Sequence, residues 1–395
     1  MEPVSPAVGP LQGVSVLDLS TVGPAARCTR LLADYGALVV KVGPVPTADA
    51  APIVPQYFAY SGHRGMRRVL LDLKDPEGRE AFLSLAGATD VVVESFRPGV
   101  VDRLGVGYAA VSERNPAVVY CSTSGYGQDG PASQWAGHDI DYLAVGGFLG
   151  MSTPGAGGAP PLPGATVADA AAGGMQAALA ITAALAGRAT TGRGAYLDVS
   201  VAEGVLWLTS LAIDEQLALG GNVSPGHDVL SGRYACYGVY AGSDGKWLAV
   251  GAIETKFFAN LCGALGCAEL IGLQFDDAAQ SRLRTAFVTA FGERTRDEWV
   301  ERLAGADTCV APVLSIAEVT ESAQFVARGV VASAAHPTEG TVRQLAPLLA
   351  GMPRPTGETP VALPDMTQTD TEHLLKEAGV DGETVARWVA RQVVA

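Results

Sequence analysis

Cysteine is scarce and scattered in this chain of 395 residues. Most of its six cysteines have apolar neighbours, and no Cys-x-x-Cys pair occurs; they are Cys28, Cys121, Cys236, Cys262, Cys267 and Cys309. Disulfide frameworks and zinc sites show characteristic paired spacings. The pattern therefore predicts buried free thiols in a reducing compartment. We also expect no metal site, because no other ligand spacing indicates one.

Positive charge is in short supply as well. Lysine and arginine number 27 against 41 aspartates and glutamates, which gives a net charge of −14. This balance argues against nucleic acid or an anionic membrane as the main partner. An anionic small ligand would need a local basic patch. The densest one is SGHRGMRR, which contains Arg64, Arg67 and Arg68, and it is either a solvated edge or a phosphate cradle built from paired guanidiniums.

We expect neither a targeting signal nor a membrane span in this sequence. The start, MEPVSPAVGPLQG, has neither a basic beginning nor an apolar stretch, and the end, QVVA, is no peroxisomal address. The longest apolar run, residues 170–186, is mostly alanine and contains Gln176 and Thr182. We expect this run to be slightly too short and too polar to span a membrane. The expected location is cytoplasmic, without a membrane partner.

Apolar segments alternate along the first part of the chain with the periods of strands and helices. Strands are predicted over 13–19, 37–42, 68–73, 90–94 and 118–122, and helices over 24–35, 76–88, 100–104 and 109–114. Strand, helix and strand within about thirty residues form a βαβ unit. The pattern predicts an α/β fold, in which a mostly parallel sheet carries helices on both faces.

The pattern of predicted elements changes after residue 228. Residues 234–241 and 246–252 flank a Ser-Asp-Gly turn and predict a β-hairpin, and amphipathic helices follow over 256–265 and 278–291. We predict a large domain over residues 1–215 and a smaller α+β domain over 216–318. Residues 319–395 are expected to return to the large domain.

The segment AGHDIDY, residues 136–142, places one of only five histidines among carboxylates. His138 is either a proton-transfer base or a surface histidine in a solvated acidic loop. Its neighbour Asp139 belongs to the same candidate site.

Two further carboxylates are candidate site residues at predicted helix starts. In TVADAAAGG, Thr166 and Asp169 fit a capping box. Alternatively, free N–H groups at this helix start could hold a developing enolate oxygen beside Asp169. Glu254, in VGAIE, either favours the start of its helix or contacts His138 across a domain cleft.

The chain as a whole resembles the class III CoA-transferase superfamily, and within it the α-methylacyl-CoA racemase branch. The resemblance rests on an ordered set of segments that runs over essentially the whole length: GVSVLDLS, LLADYGALVVKV, LDLKDPEGREAFLSLAGATDVVVESFRPGVVDRLGVGY, SGYGQDGP, AGHDIDY, VADAAAGGMQAALAITAALAGRATTGRGAYLDVSVAEG and DGKWLAVGAIETKFF.

The resemblance implies roles for particular residues. His138 and Asp169 would be the two catalytic bases, Glu254 would pair with His138, and Asp139 would belong to the same catalytic group. In transferase members, the residue that matches Asp169 is instead a nucleophile, and the GHD histidine is typically missing. The CoA-binding region would include Arg64, Arg67, Arg68, Arg97, Gly125 and Tyr142. The segment over 41–56 departs from the family pattern, an acidic residue followed by a glycine-rich stretch with an arginine, because it contains neither glutamate nor arginine.

The resemblance also implies the architecture and the substrate. Two subunits would interlock as a homodimer, each with a Rossmann-like large domain and a small domain. The substrate would be an acyl-CoA thioester, with coenzyme A as part of the substrate and no separate cofactor. The expected function is racemisation at the α-carbon of a 2-methyl-branched acyl-CoA. A CoA-transferase that uses Asp169 as nucleophile and a catalytically silent acyl-CoA-binding protein are the alternatives.

Overall fold

A computed structural model describes residues 9–46, 63–155, 157–221, 223–337, 340–347, 351, 361–365 and 368–395. The chain divides into two compact units. The first comprises Met1–Phe148, Pro163–Ser210 and Ala323–Ala395, and the second comprises Leu149–Leu162 and Leu211–Ser322. Most of the atypical 41–56 segment, together with Ser61 and Gly62 of the basic patch, lies outside the described residues.

The first unit is built on a six-stranded sheet whose neighbouring strands all pair in parallel, in the order β3-β2-β1-β4-β5-β6. Its strands are β1 (Ser15–Asp18), β2 (Leu38–Gly43), β3 (Arg67–Leu70), β4 (Val91–Glu94), β5 (Val119–Ser124) and β6 (Ala195–Ser200). The predicted parallel α/β sheet is confirmed. Strand β6 was missed, because it lies at the sheet edge and alternates in exposure instead of forming a continuous apolar run.

The helices follow the predicted spacing closely in the first part of the chain. In chain order they are α1 (Gly23–Asp34), α2 (Pro76–Gly87), α3 (Val100–Leu104), α4 (Tyr108–Arg114), α5 (Asp139–Val145), α6 (Phe148–Met151), α7 (Gln176–Thr191), α8 (Val201–Leu208), α9 (Ser210–Leu219), α10 (Thr255–Leu265), α11 (Gln280–Phe291), α12 (Arg296–Leu303), α13 (Ile316–Glu321), α14 (Ala323–Ala327), α15 (Thr371–Glu377) and α16 (Gly382–Ala390). A π-helix, Ala168–Met175, runs directly into α7. Short 3₁₀ helices cover Val229–Ser231, Ala268–Leu273 and Asp277–Ala279.

The inner strands of the sheet are buried on both faces. Alternate strand residues belong to two separate apolar clusters, as the period of two in a strand requires: Leu17 and Val92 lie in one cluster, and Val16 and Val91 in the other. The first cluster also contains buried residues of α2, α15 and α16, including Trp388. Parallel strands covered on both faces explain the continuous valine runs that the sequence shows.

Two small sheets complete the described elements. In the first unit, β10 (Val331–His336) pairs with β11 (Gly340–Leu345) and with β12 (Val361–Ala362). In the second unit, the predicted hairpin is confirmed as antiparallel β7 (Tyr237–Ala241) and β8 (Trp247–Gly251), which β9 (Val310–Pro312) extends.

The prediction that the cysteines are free and buried is confirmed with one correction. Five of the six thiols are free and buried. Cys309, however, is exposed and has a positive φ of 51°, because it lies in the irregular backbone just before β9.

The helical stretch Ala168–Thr191 is long and apolar enough to cross a membrane by length and composition alone. The prediction that its apolar run is too short and too polar is therefore wrong on this criterion, because the helix continues beyond that run at both ends. In the first unit, Ala177, Ala178 and Ile181 of this stretch pack into the cluster that contains Val16.

Candidate active site

A cleft of about 470 Å³ opens at the carboxyl ends of the central strands in the first unit. Its walls come from the segments that follow β1, β4 and β5, which include Gly23, Phe96 and Gly125, and from His138 and Asp169. Ligands of open parallel α/β sheets bind at this edge, because the loops that follow the strands converge there. The fold thus brings the two predicted bases, which are thirty-one positions apart in sequence, to one cleft.

His138 lies at the N-cap position of α5, where the chain turns from an extended loop into the helix. The backbone N–H of His138 donates a 2.9 Å hydrogen bond to Oδ2 of Asp141, which lies one helical turn further on. This bond fixes the direction in which the chain enters the helix, while the imidazole remains exposed at the cleft. The position suits a group that must reach a bound molecule.

Asp169 is half-buried in the first turn of the π-helix. Its backbone N–H donates a 2.8 Å hydrogen bond to Oδ1 of Asp139, and the N–H of Ala170 donates to the carbonyl of Thr166. The predicted capping box of Thr166 and Asp169 is therefore wrong. We also expected free N–H groups here to hold an enolate oxygen. This expectation is wrong for the N–H groups of Asp169 and Ala170, because both already donate hydrogen bonds within the protein.

The electrostatic setting of Asp169 combines opposing effects. Burial, followed by the negative charge of Asp139, raises the pKa of the Asp169 carboxyl, whereas Arg27 and His138 oppose the rise. A carboxyl whose pKa is raised accepts a proton more readily than an exposed aspartate, as a general base must. Sequence reasoning missed Arg27, although it lies on the helix that directly follows β1.

The π-helix lies very close to α1 because two glycines face that helix. A Cβ on Gly173 would come within 2.5 Å of Cβ of Pro24, and one on Gly174 within 2.6 Å of Cβ of Arg27. Only glycine permits so close an approach. On the facing helix, Gly23 has a φ of +78°, and a Cβ there would lie 4.0 Å from Oδ2 of Asp169. The glycines therefore set the depth of this part of the cleft.

Gly125 and Tyr142, both predicted for the CoA-binding region, line the same cleft and depend on each other. A Cβ at Gly125 would lie 2.3 Å from the Tyr142 ring. The Tyr142 hydroxyl donates a 2.7 Å hydrogen bond to the carbonyl of Gly137, directly before His138. Burial, with a further contribution from Asp169, raises the pKa of Tyr142 to about 12. Tyr142 is thus an uncharged residue of the cleft lining, and its hydrogen bond to Gly137 positions the loop that carries His138.

Ser124 was not predicted as a site residue, yet its hydroxyl is a notable feature of the cleft. Its Oγ is buried and has no hydrogen-bond partner among the residues that the structure describes, and Ser124 lines the cleft at the end of β5. Buried polar groups are nearly always paired, so an orphan hydroxyl in a cleft calls for an explanation such as a bound molecule. In the sequence, Ser124 could have been recognised as a candidate because it begins the motif SGYG shortly after a predicted strand.

The basic patch does not form one open cluster. Arg64 is only 5% exposed. Its guanidinium makes a two-pronged ion pair with Asp34 at 2.8 Å and donates to the carbonyl of Leu345 at 2.6 Å. The hydrogen bonds to Asp34 and Leu345 thus account for the burial of the Arg64 guanidinium without a bound phosphate. The half-buried Arg67 and Arg68 lie on β3, whereas the exposed Arg97 lines the cleft directly. The contacts of all four with CoA stay predictions.

Glu254 belongs to the second unit, where it is the exposed N-cap residue of α10. A carboxylate at that place interacts favourably with the helix N-terminus, as the simpler of its two interpretations predicts. Its pairing with His138 stays a prediction.

Comparisons with known proteins identify the family. The model of CoA-transferase family III matches residues 11–368. The human α-methylacyl-CoA racemase is 34% identical over 383 residues, 95% of each chain. The human succinyl-CoA:glutarate CoA-transferase is 30% identical over 386 residues, 93% of this chain and 86% of its own. This chain belongs to CoA-transferase family III, as its motifs predicted.

Solved structures agree with the fold. The crystal structure of a CaiB/BaiF family protein from Brucella suis aligns with a TM-score of 0.73 at 27% identity, over 95% of this chain and 100% of the other. A structure of the protein Rv3272 from Mycobacterium tuberculosis aligns with a TM-score of 0.76 at 22% identity, over 91% and 97%. The family contains both isomerases and CoA-transferases that act on acyl-CoA thioesters, so the chain is an enzyme of acyl-CoA chemistry.

Proposed function

We propose that this protein is an acyl-CoA racemase that inverts the α-carbon of a 2-methyl-branched acyl-CoA. The observation that carries the proposal is the cleft shared by His138 and Asp169, because inversion needs two proton-transfer groups at one substrate carbon. The racemase relative at 34% identity supports the same choice.

The proposed reaction is a 1,1-proton transfer. The thioester acidifies the α-proton, and one base removes it to leave a planar enolate. The conjugate acid of the other base then returns a proton to the opposite face. A histidine and a carboxylate with a raised pKa can exist in the complementary protonation states that this route requires. Glu254 would orient the imidazole of His138. No separate cofactor is proposed, since coenzyme A is part of the substrate.

The decisive experiment supplies one pure enantiomer of a 2-methylacyl-CoA in D2O without an acceptor acid. A racemase produces the other epimer and incorporates deuterium at the α-carbon. His138→Ala should slow epimerisation by about 10²–10⁴-fold, the usual contribution of a positioned general base. His373→Ala is the matched control, because His373 is an exposed histidine on α15. Full epimerisation by His138→Ala would make His138 a solvated loop residue.

The second candidate is a CoA-transferase in which the Asp169 carboxylate attacks the thioester carbonyl, breaks its C–S bond, releases the CoA thiolate and forms an acyl anhydride. It is favoured by the half-buried Asp169 carboxylate in the cleft and by the transferase relative at 30% identity. In the same D2O experiment a transferase leaves the stereocentre unchanged and turns over only after an acceptor acid is added. A silent binding protein would show a thermal shift with CoA and neither reaction.

We also propose a homodimer in which the small domain of one subunit, carrying Glu254, completes the cleft of the other. An apolar groove of the first unit supports an interface, since Met175, Leu179 and Trp207 are 57%, 70% and 79% exposed there. Light scattering should give about 81 kDa, twice the 40.5 kDa of one chain. A fully active monomer would contradict the assembly.

A further inference from the structure

Three potential metal ligands of the second unit lie close together in the structure. Glu215 lies on α9, while His227 and Asp228 end the loop that follows that helix. One ligand atom from each lies within 4.8 Å of the other two. Nε2 of His227 is 2.8 Å from Oε2 of Glu215 and 3.4 Å from Oδ2 of Asp228.

The imidazole of His227 is oriented by its other nitrogen. Nδ1 lies 3.0 Å from the backbone carbonyl of Ser224. Carbonyl and carboxylate oxygens only accept hydrogen bonds, so Nδ1 donates to Ser224 and Nε2 donates to the Glu215 carboxylate at 2.8 Å. A metal ion bound at Nε2 would take the place of the Nε2 proton. Metal-binding histidines are typically held in this way, with the non-ligating N–H donated to a carbonyl. Nε2 therefore faces the two carboxylates.

The two oxygens of the Asp228 carboxylate have different partners. Its Oδ1 accepts a 2.9 Å hydrogen bond from the backbone N–H of Ser231, whose hydroxyl accepts from the N–H of Asp228 at 3.0 Å. These bonds hold the side chain and leave Oδ2 towards His227. The nearby Arg233 donates to the carbonyl of His227, and its charge is matched by an ion pair with Asp277 at 2.7 Å. That arginine therefore adds no uncompensated positive charge beside the cluster.

We infer that Glu215, His227 and Asp228 form a binding site for one Zn²⁺ ion. Ligands at about 2.0–2.1 Å around a tetrahedral zinc are about 3.4 Å apart. The His227–Asp228 separation already equals this value, and the His227–Glu215 separation of 2.8 Å must widen slightly. Water supplies the fourth ligand, because the Glu215 and Asp228 side chains are 41% and 38% exposed.

The donor set selects the class of ion. One imidazole nitrogen and two carboxylate oxygens suit zinc, whereas Mg²⁺ and Ca²⁺ prefer oxygen ligands throughout. A bound zinc would clamp the end of the loop onto α9. This site is separate from the residues proposed for acyl-CoA chemistry, so its test needs no turnover measurement.

The test uses the full-length protein after chelator treatment and gel filtration. Titration with ZnCl2 at pH 7.5, followed calorimetrically and by elemental analysis, should give one zinc per chain and a raised Tm. MgCl2 should give neither. His227→Gln should weaken zinc binding at least tenfold, and Glu215→Gln and Asp228→Asn should weaken it as well. Co²⁺ should produce the visible absorption of a tetrahedral site in the parent protein and lose it in His227→Gln.

Two control variants separate this site from other zinc ligands. His373→Gln alters an exposed histidine that also lies near a carboxylate, with its Nε2 3.2 Å from Glu377, and Cys309→Ser removes the exposed thiol. Both should bind zinc like the parent. Zinc binding that is absent from the parent, unchanged in all three ligand variants, or lost in Cys309→Ser would overturn the inference. If His227→Gln fails to fold, Glu215→Gln decides the outcome.

Discussion

The backbone N–H of Asp169 donates a 2.8 Å hydrogen bond to Oδ1 of Asp139, the residue that follows His138. One side chain thus links the loop of one predicted base to the backbone of the other. The same carboxylate raises the pKa of Asp169 through its negative charge. Asp139 is therefore a positioning residue for the pair.

Replacing Asp139 should separate its charge from its hydrogen bond. Asp139→Asn keeps an acceptor for the Asp169 amide but removes the charge, so the pKa of Asp169 falls. The acidic limb of kcat/KM against pH should move to lower pH, with most of the activity retained. Asp139→Ala loses both effects and should lower kcat as well. Asp141→Asn is the matched control, and an equal shift in that variant would contradict the assignment.

Ser124→Ala should test whether the orphan hydroxyl serves the substrate. Removing an unpaired buried hydroxyl should leave the stability unchanged or slightly increased. If the Oγ binds acyl-CoA, KM should rise by about five- to tenfold, the effect of losing about 1.0–1.4 kcal/mol of hydrogen bonding. Calorimetry and steady-state kinetics on the same sample provide the two readouts. Unchanged kinetics together with increased stability would show that the hydroxyl has no ligand.

Arg64→Ala should mainly lower the stability of the protein, whereas Arg97→Ala should mainly raise KM. The first removes one of two arginine partners of Asp34, whose side chain is only 7% exposed. Because Arg30 still lies 3.1 Å from this carboxylate, the free energy of unfolding should fall by about 1.5–3 kcal/mol, typical of losing a charged hydrogen bond. The second removes an exposed cleft cation and should raise KM for acyl-CoA while the denaturation midpoint stays unchanged. Urea denaturation and kinetics distinguish the two. A stable Arg64→Ala variant with a raised KM would instead support a phosphate contact.

Glu94 should make the stability depend on pH near neutrality. It ends β4 almost fully buried, and desolvation raises its pKa to about 7 from 4.5. The folded state therefore holds a proton that the unfolded state has released, so stability falls as pH rises from 4.5 to 7 and then levels off. The loss is on the order of 3 kcal/mol. Glu94→Gln should flatten this part of the curve in urea denaturation series; an unaltered curve would contradict the assignment.

Gly173→Ala and Gly187→Ala form a matched pair within one continuous helical stretch. The first places a methyl group against Pro24 and should destabilise the protein by about 1–3 kcal/mol and distort the cleft. At Gly187 no atom lies within 4 Å of the added Cβ, so alanine should stabilise by about 0.5–1 kcal/mol through helix propensity. Thermal denaturation measures both changes, and equal effects would contradict the proposed close packing.

Many strands and helices of the fold could be predicted from the sequence. The valine runs of the inner strands, such as Val91–Glu94, and the helices between them follow periods that burial imposes locally, so they could be recognised without a structure. The edge strand β6 could not, since its residues alternate in exposure and lead into a helix. His138, Asp139 and Asp169 were recognised as candidates from short motifs and the family resemblance.

What only the tertiary structure decided are the contacts between segments that are distant in sequence. The bond between Asp169 and Asp139, the burial of Arg64 by Asp34, and the approach of Glu215 to His227 all depend on how separate elements pack. Local periodicity reports which face of an element is apolar, but a hydrogen bond or an ion pair forms only where packing brings two side chains within a few ångströms. The sequence alone therefore determined the elements and the candidate bases of this protein, whereas packing decided which groups each of them touches.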